Sequence, residues 1–256
     1  MNINENRFFD FHGVIEEKEL SQIHHDINDL LEAVKKGVQR IEFFYNNKAY
    51  LEFSKKENLN EYETLQISFS YAIVTGLNSA KLLADKGLVL ESFILSRSTL
   101  ETIYLLEYLT KKPSEANDIW NSTFYNAPSE ALEALGITEK LKNFSFKKFI
   151  PSVLKDDLSI VYNFLCKFSH PTAWTYHSYS NDNLNKFQRD LIILNYYMIS
   201  ELIIRYIESQ LEVGQFIDEQ RQTFQLLIKE INSVREKYEP YWLKKEIAEG
   251  KGVNNQ

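Results

Sequence analysis

Arg97 and Glu101 lie four residues apart within the most apolar helical stretch of the chain, Leu88 to Leu109. That spacing puts a guanidinium and a carboxylate on one helix face. The same face carries Phe93, Ile94, Leu100, Tyr104 and Tyr108. Charges are rarely enclosed by such neighbours unless they are paired. The sequence therefore predicts a paired polar centre inside the core, and two readings of it stand. In one, the pair fixes the helix in its packing register, and losing a single partner costs about 3–5 kcal/mol. In the other, Arg97 meets a phosphate or carboxylate in a pocket while Glu101 holds the guanidinium in place. Ser96, Ser98 and Thr99 either extend this network or bond back to their own helix.

His170 is the second candidate. It sits in Phe168-Ser-His-Pro-Thr172, at an expected helix C-terminus, where the helix dipole favours a protonated imidazole. Histidine is the usual acid or base near neutral pH. The plainer reading is a capping histidine packed against Trp174. If the functional reading holds, Arg97, Glu101 and His170 are the reacting centre, and Arg97, Ser98, Tyr104, Ser169 and Trp174 form the binding wall.

A third group is His24, His25, Asp26 and Asp29. His25 and Asp29 are one helical turn apart and supply two metal ligands at most, where a site needs three or more. The expectation is a solvated helix face and no metal. Arg7 and His12 are separated by four residues, a pattern loose enough to arise by chance. The chain has no glycine-rich phosphate loop, no Gly-x-Ser-x-Gly elbow, no His-Glu-x-x-His and no Cys-x-x-Cys, so the enzyme classes those motifs mark are unsupported. No cofactor is predicted.

Long helices must position these residues. Eight glycines and five prolines in 256 residues are sparse punctuation, which favours helices over many short strands. Apolar positions recur at three- and four-residue steps from Glu16 to about Tyr45, and again from Asn60 to Asp85. Gly87 is a plausible stop before the Arg97 helix. Lys111-Lys112-Pro113 ends that helix. Residues 113–150 read as short helices forming an insertion. A helix over 152–168 closes at Ser169-His170-Pro171, another runs from 184 to about 212, and a last covers roughly 215–238. The expectation is a single all-α domain of five or six long helices, with an irregular arm over 1–15 and a frayed tail over 249–256.

The bulk numbers narrow the partners. The net charge of −7 and the lack of a basic tail argue against broad nucleic-acid binding. Cys166 is the single cysteine, so no internal disulfide forms. The best membrane-span candidate, Leu191 to Ile207, contains Glu201 and Arg205 and reads as a core helix. No secretory signal opens the chain, and a cytoplasmic location is the default. Long aromatic helices can pack on one another in a homodimer, although no heptad seam specifies one.

Two segments carry a family likeness: Ile94-Leu-Ser-Arg-Ser-Thr-Leu-Glu-Thr-Ile-Tyr-Leu-Leu and Leu165-Cys-Lys-Phe-Ser-His-Pro-Thr. Here the chain resembles a family of uncharacterised bacterial helical proteins with an Arg-Ser-x-x-Glu core and a downstream Ser-His-Pro turn. Those are placed near HEPN domains and abortive-infection proteins. The resemblance spans about residues 60–210 and implies that Arg97, Glu101 and His170 form the polar centre. It also implies a regulatory or anion- and nucleotide-binding component of a bacterial defence or stress system. The alternative it implies is a metal-independent ribonuclease or nucleotide-modifying toxin. In that chemistry His170 is a general base toward a ribose hydroxyl and Arg97 neutralises the phosphate. HEPN ribonucleases bring their arginine and histidine together on one helix, whereas Arg97 and His170 here come from separate segments.

Overall fold

A computed structural model describes residues 17–48, 58–122, 162, 165–166, 184–212 and 218–239. The architecture is all-α. The described helices are α1 (Glu17–Asp26), α2 (Asn28–Lys48), α3 (Glu61–Asp85), α4 (Val89–Lys111), α5 (Ala116–Ser122), α6 (Leu184–Glu212) and α7 (Asp218–Arg235). Single 3₁₀ turns precede α5 (Pro113–Glu115) and follow α7 (Glu236–Tyr238). No strand occurs among the described residues. The arm, the tail, residues 123–150 and the Ser169–Pro171 turn lie outside the described residues.

The periodicity predicted one helix over 16–45, but the structure interrupts it at Ile27, between α1 and α2. Asp29 lies just beyond the interruption. Its carboxylate accepts from the Leu30 amide at 2.9 Å and from Lys237 and Tyr238 of the far C-terminal segment. An aspartate that bonds its neighbouring backbone competes with the helix ladder. The ladder still resumes, since Ile27 N–H reaches the Ile23 carbonyl and Leu31 N–H the Ile27 carbonyl, both at 3.1 Å. The apolar stripe Ile23, Ile27, Leu30, Val34, Val38 and Ile41 therefore stays buried across the break.

α3 begins where the sequence says it should. Asn60 accepts from the Glu63 amide at 2.9 Å, and Glu63 reaches back to the Asn60 amide, a reciprocal capping box. It ends on Gly87, whose φ of 73° is a left-handed conformation that glycine adopts without cost. Leu88 N–H bonds Leu83 O and Gly87 N–H bonds Ala84 O, closing the helix in a Schellman motif. This tight turn sends α4 back along α3. The two helices approach so closely that a Cβ on Gly76 would lie 2.2 Å from Thr99 Oγ1.

α6 is the central strut. Ile192, Tyr196, Met198, Ile199, Leu202 and Ile203 are each completely buried, and α6 packs against α2, α3, α4 and α7. Full burial of one such aliphatic side chain stabilises by roughly 1.5–3 kcal/mol. A buried polar knot ties the strut to α3 and α4. The Ser92 hydroxyl lies 2.7 Å from the Ala80 carbonyl and 2.9 Å from Asn195 Oδ1, while Asn195 Nδ2 donates to the Val89 carbonyl at 3.3 Å. Buried polar groups require such partners. Among the described residues no helix is long and apolar enough to cross a membrane. The candidate span over 191–207 is this core strut.

Candidate functional site

The sequence placed a sealed ion pair at Arg97 and Glu101. The pair exists, with Arg97 Nε donating to Glu101 Oε1 at 3.0 Å, but it is not sealed. The two side chains are 20% and 28% exposed. The apolar stripe of α4 turns its centre inward, with Phe93, Leu100 and Tyr104 fully buried. Ile94, Arg97 and Glu101 lie along its outer edge, where Ile94 is 46% exposed. The expectation of complete enclosure fails because a stripe covering most of a helix still leaves a flank at the surface.

That flank is covered in part by a distant segment. Tyr162 and Cys166 are helical and one turn apart. The Tyr162 hydroxyl donates to Glu101 Oε1 at 3.1 Å, and the Arg97 guanidinium lies 5.7 Å from the centre of the Tyr162 ring, within cation–π range. Cys166 lies in contact with the same phenol. The structure thus gathers a guanidinium, a carboxylate, a phenol and a thiol.

The groups tune one another. Burial opposes the charge on Arg97, but Cys166, Glu101 and Tyr162 outweigh it and hold its pKa above the ordinary arginine value. Burial first, then Cys166 and Glu101, push the Tyr162 phenol well up. Burial also raises the Cys166 thiol and Glu101 adds to this, while the Tyr162 hydrogen bond and Arg97 pull the other way. At neutral pH the centre is therefore one cation, a neutral phenol and a neutral thiol, with Glu101 as the fixed acceptor. A protonated thiol is a poor nucleophile. What the arrangement can do is hold a guanidinium rigidly at a surface that solvent still reaches.

The other expected site residues divide. Ser98 is exposed beside Arg97, and its carbonyl accepts from the Thr102 hydroxyl at 2.9 Å. Tyr104 is fully buried, so it belongs to the core and not to a binding wall. His170, Ser169 and Trp174 lie outside the described residues. The His24–Asp29 group does not converge on a common point. His25 and Asp26 are exposed, Asp26 pairs with Arg189 at 2.9 Å, and Asp29 is taken by Lys237 and Tyr238.

Two polar centres were not anticipated. The first is the enclosed ion pair itself, which α4 makes ten residues further on. Glu107 Oε2 accepts from Arg205 Nη2 of α6 at 2.6 Å, with both side chains at 7% exposure or less. Burial drives the Glu107 carboxyl above its usual range, against the pull of Arg205. Its Oε1, and Nε of Arg205, have no hydrogen-bond partner among the described residues. Arg205 was visible as a charge interrupting an apolar run, but nothing local to it named its partner.

The second joins three helices. The hydroxyl of Tyr196, a fully buried α6 residue, donates to Asp85 Oδ1 at 2.6 Å. Lys81 holds the other carboxylate oxygen at 2.6 Å. His24 Nε2 lies 3.4 Å from the same hydroxyl. A phenol has one proton to give, and Asp85 receives it. We therefore assign Nε2 as the protonated nitrogen of His24, donating to the Tyr196 oxygen. Burial lowers the His24 pKa, Asp85 works against this, and Lys81 adds to it.

These features define an all-helical protein with one half-open, arginine-centred polar cluster and one sealed ion pair. No protein family, curated protein or solved structure matches the chain.

Proposed function

We propose that this chain is an anion-binding helical protein of regulatory type, with Arg97 as the group that meets a phosphate or carboxylate. The single observation behind the reading is the state of Arg97. It is held by Glu101 and faced by the Tyr162 ring, yet a fifth of its side chain remains exposed. A guanidinium ordered in advance loses less entropy when it meets an oxyanion, and its planar fork suits that shape. The resemblance to HEPN-like and abortive-infection proteins extends the proposal to a nucleotide or RNA end as ligand, in a bacterial defence or stress system.

Thermal unfolding with inorganic phosphate and with adenosine 5′-monophosphate tests this. A ligand at a hundred times its Kd stabilises by about 2.7 kcal/mol, which raises the melting temperature measurably. The rise should vanish in Arg97→Gln and shrink in Arg97→Lys. If neither probe stabilises the wild type, the proposal falls. If the wild type cuts RNA, and Arg97→Gln and His170→Ala lose that activity while their melting temperatures hold, the reading moves to a metal-independent ribonuclease.

A further inference from the structure

α1 is lightly held. Ile23 is its one buried residue, and Leu20 packs on the core only in part. Two polar contacts join it to α6. Asp26 pairs with Arg189 at 2.9 Å, and both side chains remain part-exposed, so this tie is weak. His24 makes the other. Its ring stands edge-on to that of Tyr196, with centres 6.0 Å apart and planes at 81°, and Nε2 lies 3.4 Å from the phenol oxygen. The next tie along the chain is Asp29, held by Lys237 and Tyr238. Between the two falls the interruption at Ile27. A segment with so few buried apolar contacts, bounded by a break, can open on its own. A helix of 10 residues is also too short to persist undocked in water.

The His24 contact is built for the neutral imidazole. The Tyr196 proton goes to Asp85, so the phenol oxygen accepts from Nε2–H and Nδ1 is left bare. A proton added at Nδ1 meets no hydrogen-bond acceptor among the described residues. Three groups face the ring from the helices around it: Asp85 and Lys81 of α3 and the Tyr196 phenol of α6. Arg189 of α6 is turned to Asp26, and α2 brings no charge that acts on the ring. Asp85 attracts an imidazolium, but its two oxygens are already engaged by Lys81 and Tyr196. Burial and Lys81 both oppose the charge, and burial is the larger of the two. We propose that α1 is an acid-released clasp: a proton taken up by His24 frees the helix from Tyr196, and α1 unwinds as far as Ile27 while α2, α3, α4 and α6 stay packed. Opening returns the imidazolium to water and uncovers the Tyr196 hydroxyl, on a residue fully buried while α1 is docked.

The experiment is amide hydrogen exchange of the full chain, read by mass spectrometry across the ordinary imidazole pKa of about 6.5 and corrected for the intrinsic pH dependence of exchange. Amides of α1 should exchange faster than those of α6 and at a rate indifferent to low urea, because a local opening exposes little surface. Their opening constant should be flat above that pKa. Below it the constant should rise by up to about tenfold per pH unit, until the docked ring itself titrates. Lys81→Gln removes a charge that opposes the imidazolium and should shrink the rise. Asp85→Asn removes the charge that favours it and should enlarge the rise. His24→Gln should abolish it; if that variant leaves α1 open at every pH, Lys81→Gln decides, since it keeps the imidazole. The proposal is overturned if α1 and α6 exchange together with the same urea dependence. It is equally overturned if α1 is unprotected already above the imidazole pKa, or if the acid rise survives His24→Gln or is unmoved by Lys81→Gln.

Discussion

Two ion pairs on α4 invite comparison. Arg97 and Glu101 sit one turn apart on the same helix and remain part-exposed. Glu107 reaches across to Arg205 on α6, and both are buried. The first was legible because i and i+4 partners announce themselves in a sequence. The second was not, because its halves are 98 residues apart and only the packing of α6 on α4 brings them together. The two also differ energetically. A part-exposed pair gains little beyond what water already offers. A buried pair has lost its water and depends wholly on its partner.

The largest effect should therefore come from halving the buried pair. Arg205→Leu leaves the buried Glu107 carboxyl without its partner, and should cost about 3–5 kcal/mol in urea unfolding. Glu107→Leu should cost a similar amount by stranding Arg205. Replacing both, as Glu107→Leu with Arg205→Met, should recover most of the loss or exceed the wild type. A double variant as damaged as either single one would show that α4 and α6 need the charges themselves. Glu107 Oε1 and Arg205 Nε, which have no partner among the described residues, favour recovery, since removing them removes two buried polar groups without a bond there.

The His24–Tyr196–Asp85 contact should show an intermediate effect, and one with a pH signature. Tyr196→Phe removes a buried hydroxyl that serves two partners, at about 1–3 kcal/mol. His24 adds the pH dependence. Its pKa is lowered on folding, so the unfolded chain takes up the proton first as pH falls. Stability should hold above the ordinary imidazole pKa of about 6.5 and decline as pH drops through the lowered folded value. His24→Gln should flatten that decline. Glu107 works in the opposite sense. Its raised carboxyl favours folding at acid pH, and that contribution is lost as pH rises through its folded value. The difference between wild type and His24→Gln isolates the histidine. A decline unchanged by the substitution would show that His24 titrates as it does in the unfolded chain.

Much of the helical frame was open to inspection of the chain. The helix start at Asn60, the stop at Gly87 and the basic end of α4 at Lys111 all rest on local chemistry. The first helix is interrupted beside Asp29, whose carboxylate is held by Lys237 and Tyr238, partners supplied by a distant part of the chain. Burial is hidden from the sequence for a related reason. Periodicity tells which face of α4 is apolar, but not how far round the helix its neighbours reach. Phe93 and Ile94 are adjacent and equally apolar, yet one is sealed and the other half open.

The smallest effect on stability should come from the part-exposed pair, Arg97 and Glu101, and it is the more informative for being small. Glu101→Gln should cost no more than about 1 kcal/mol, because Arg97 keeps access to water. Its consequence lies instead at Cys166, where Glu101 raises the thiol pKa and Arg97 lowers it. Alkylation by iodoacetamide follows the thiolate fraction, so its pH dependence reads this balance directly. Glu101→Gln should move the alkylation midpoint to lower pH, and Arg97→Gln should move it higher, with the fold intact in both. A Glu101→Gln variant that unfolds would return the pair to the buried class occupied by Glu107 and Arg205. If the two midpoints coincide with that of the wild type, the thiol does not feel the ion pair. The four groups then do not act as one centre, and Arg97 must be judged as an exposed arginine on the edge of α4.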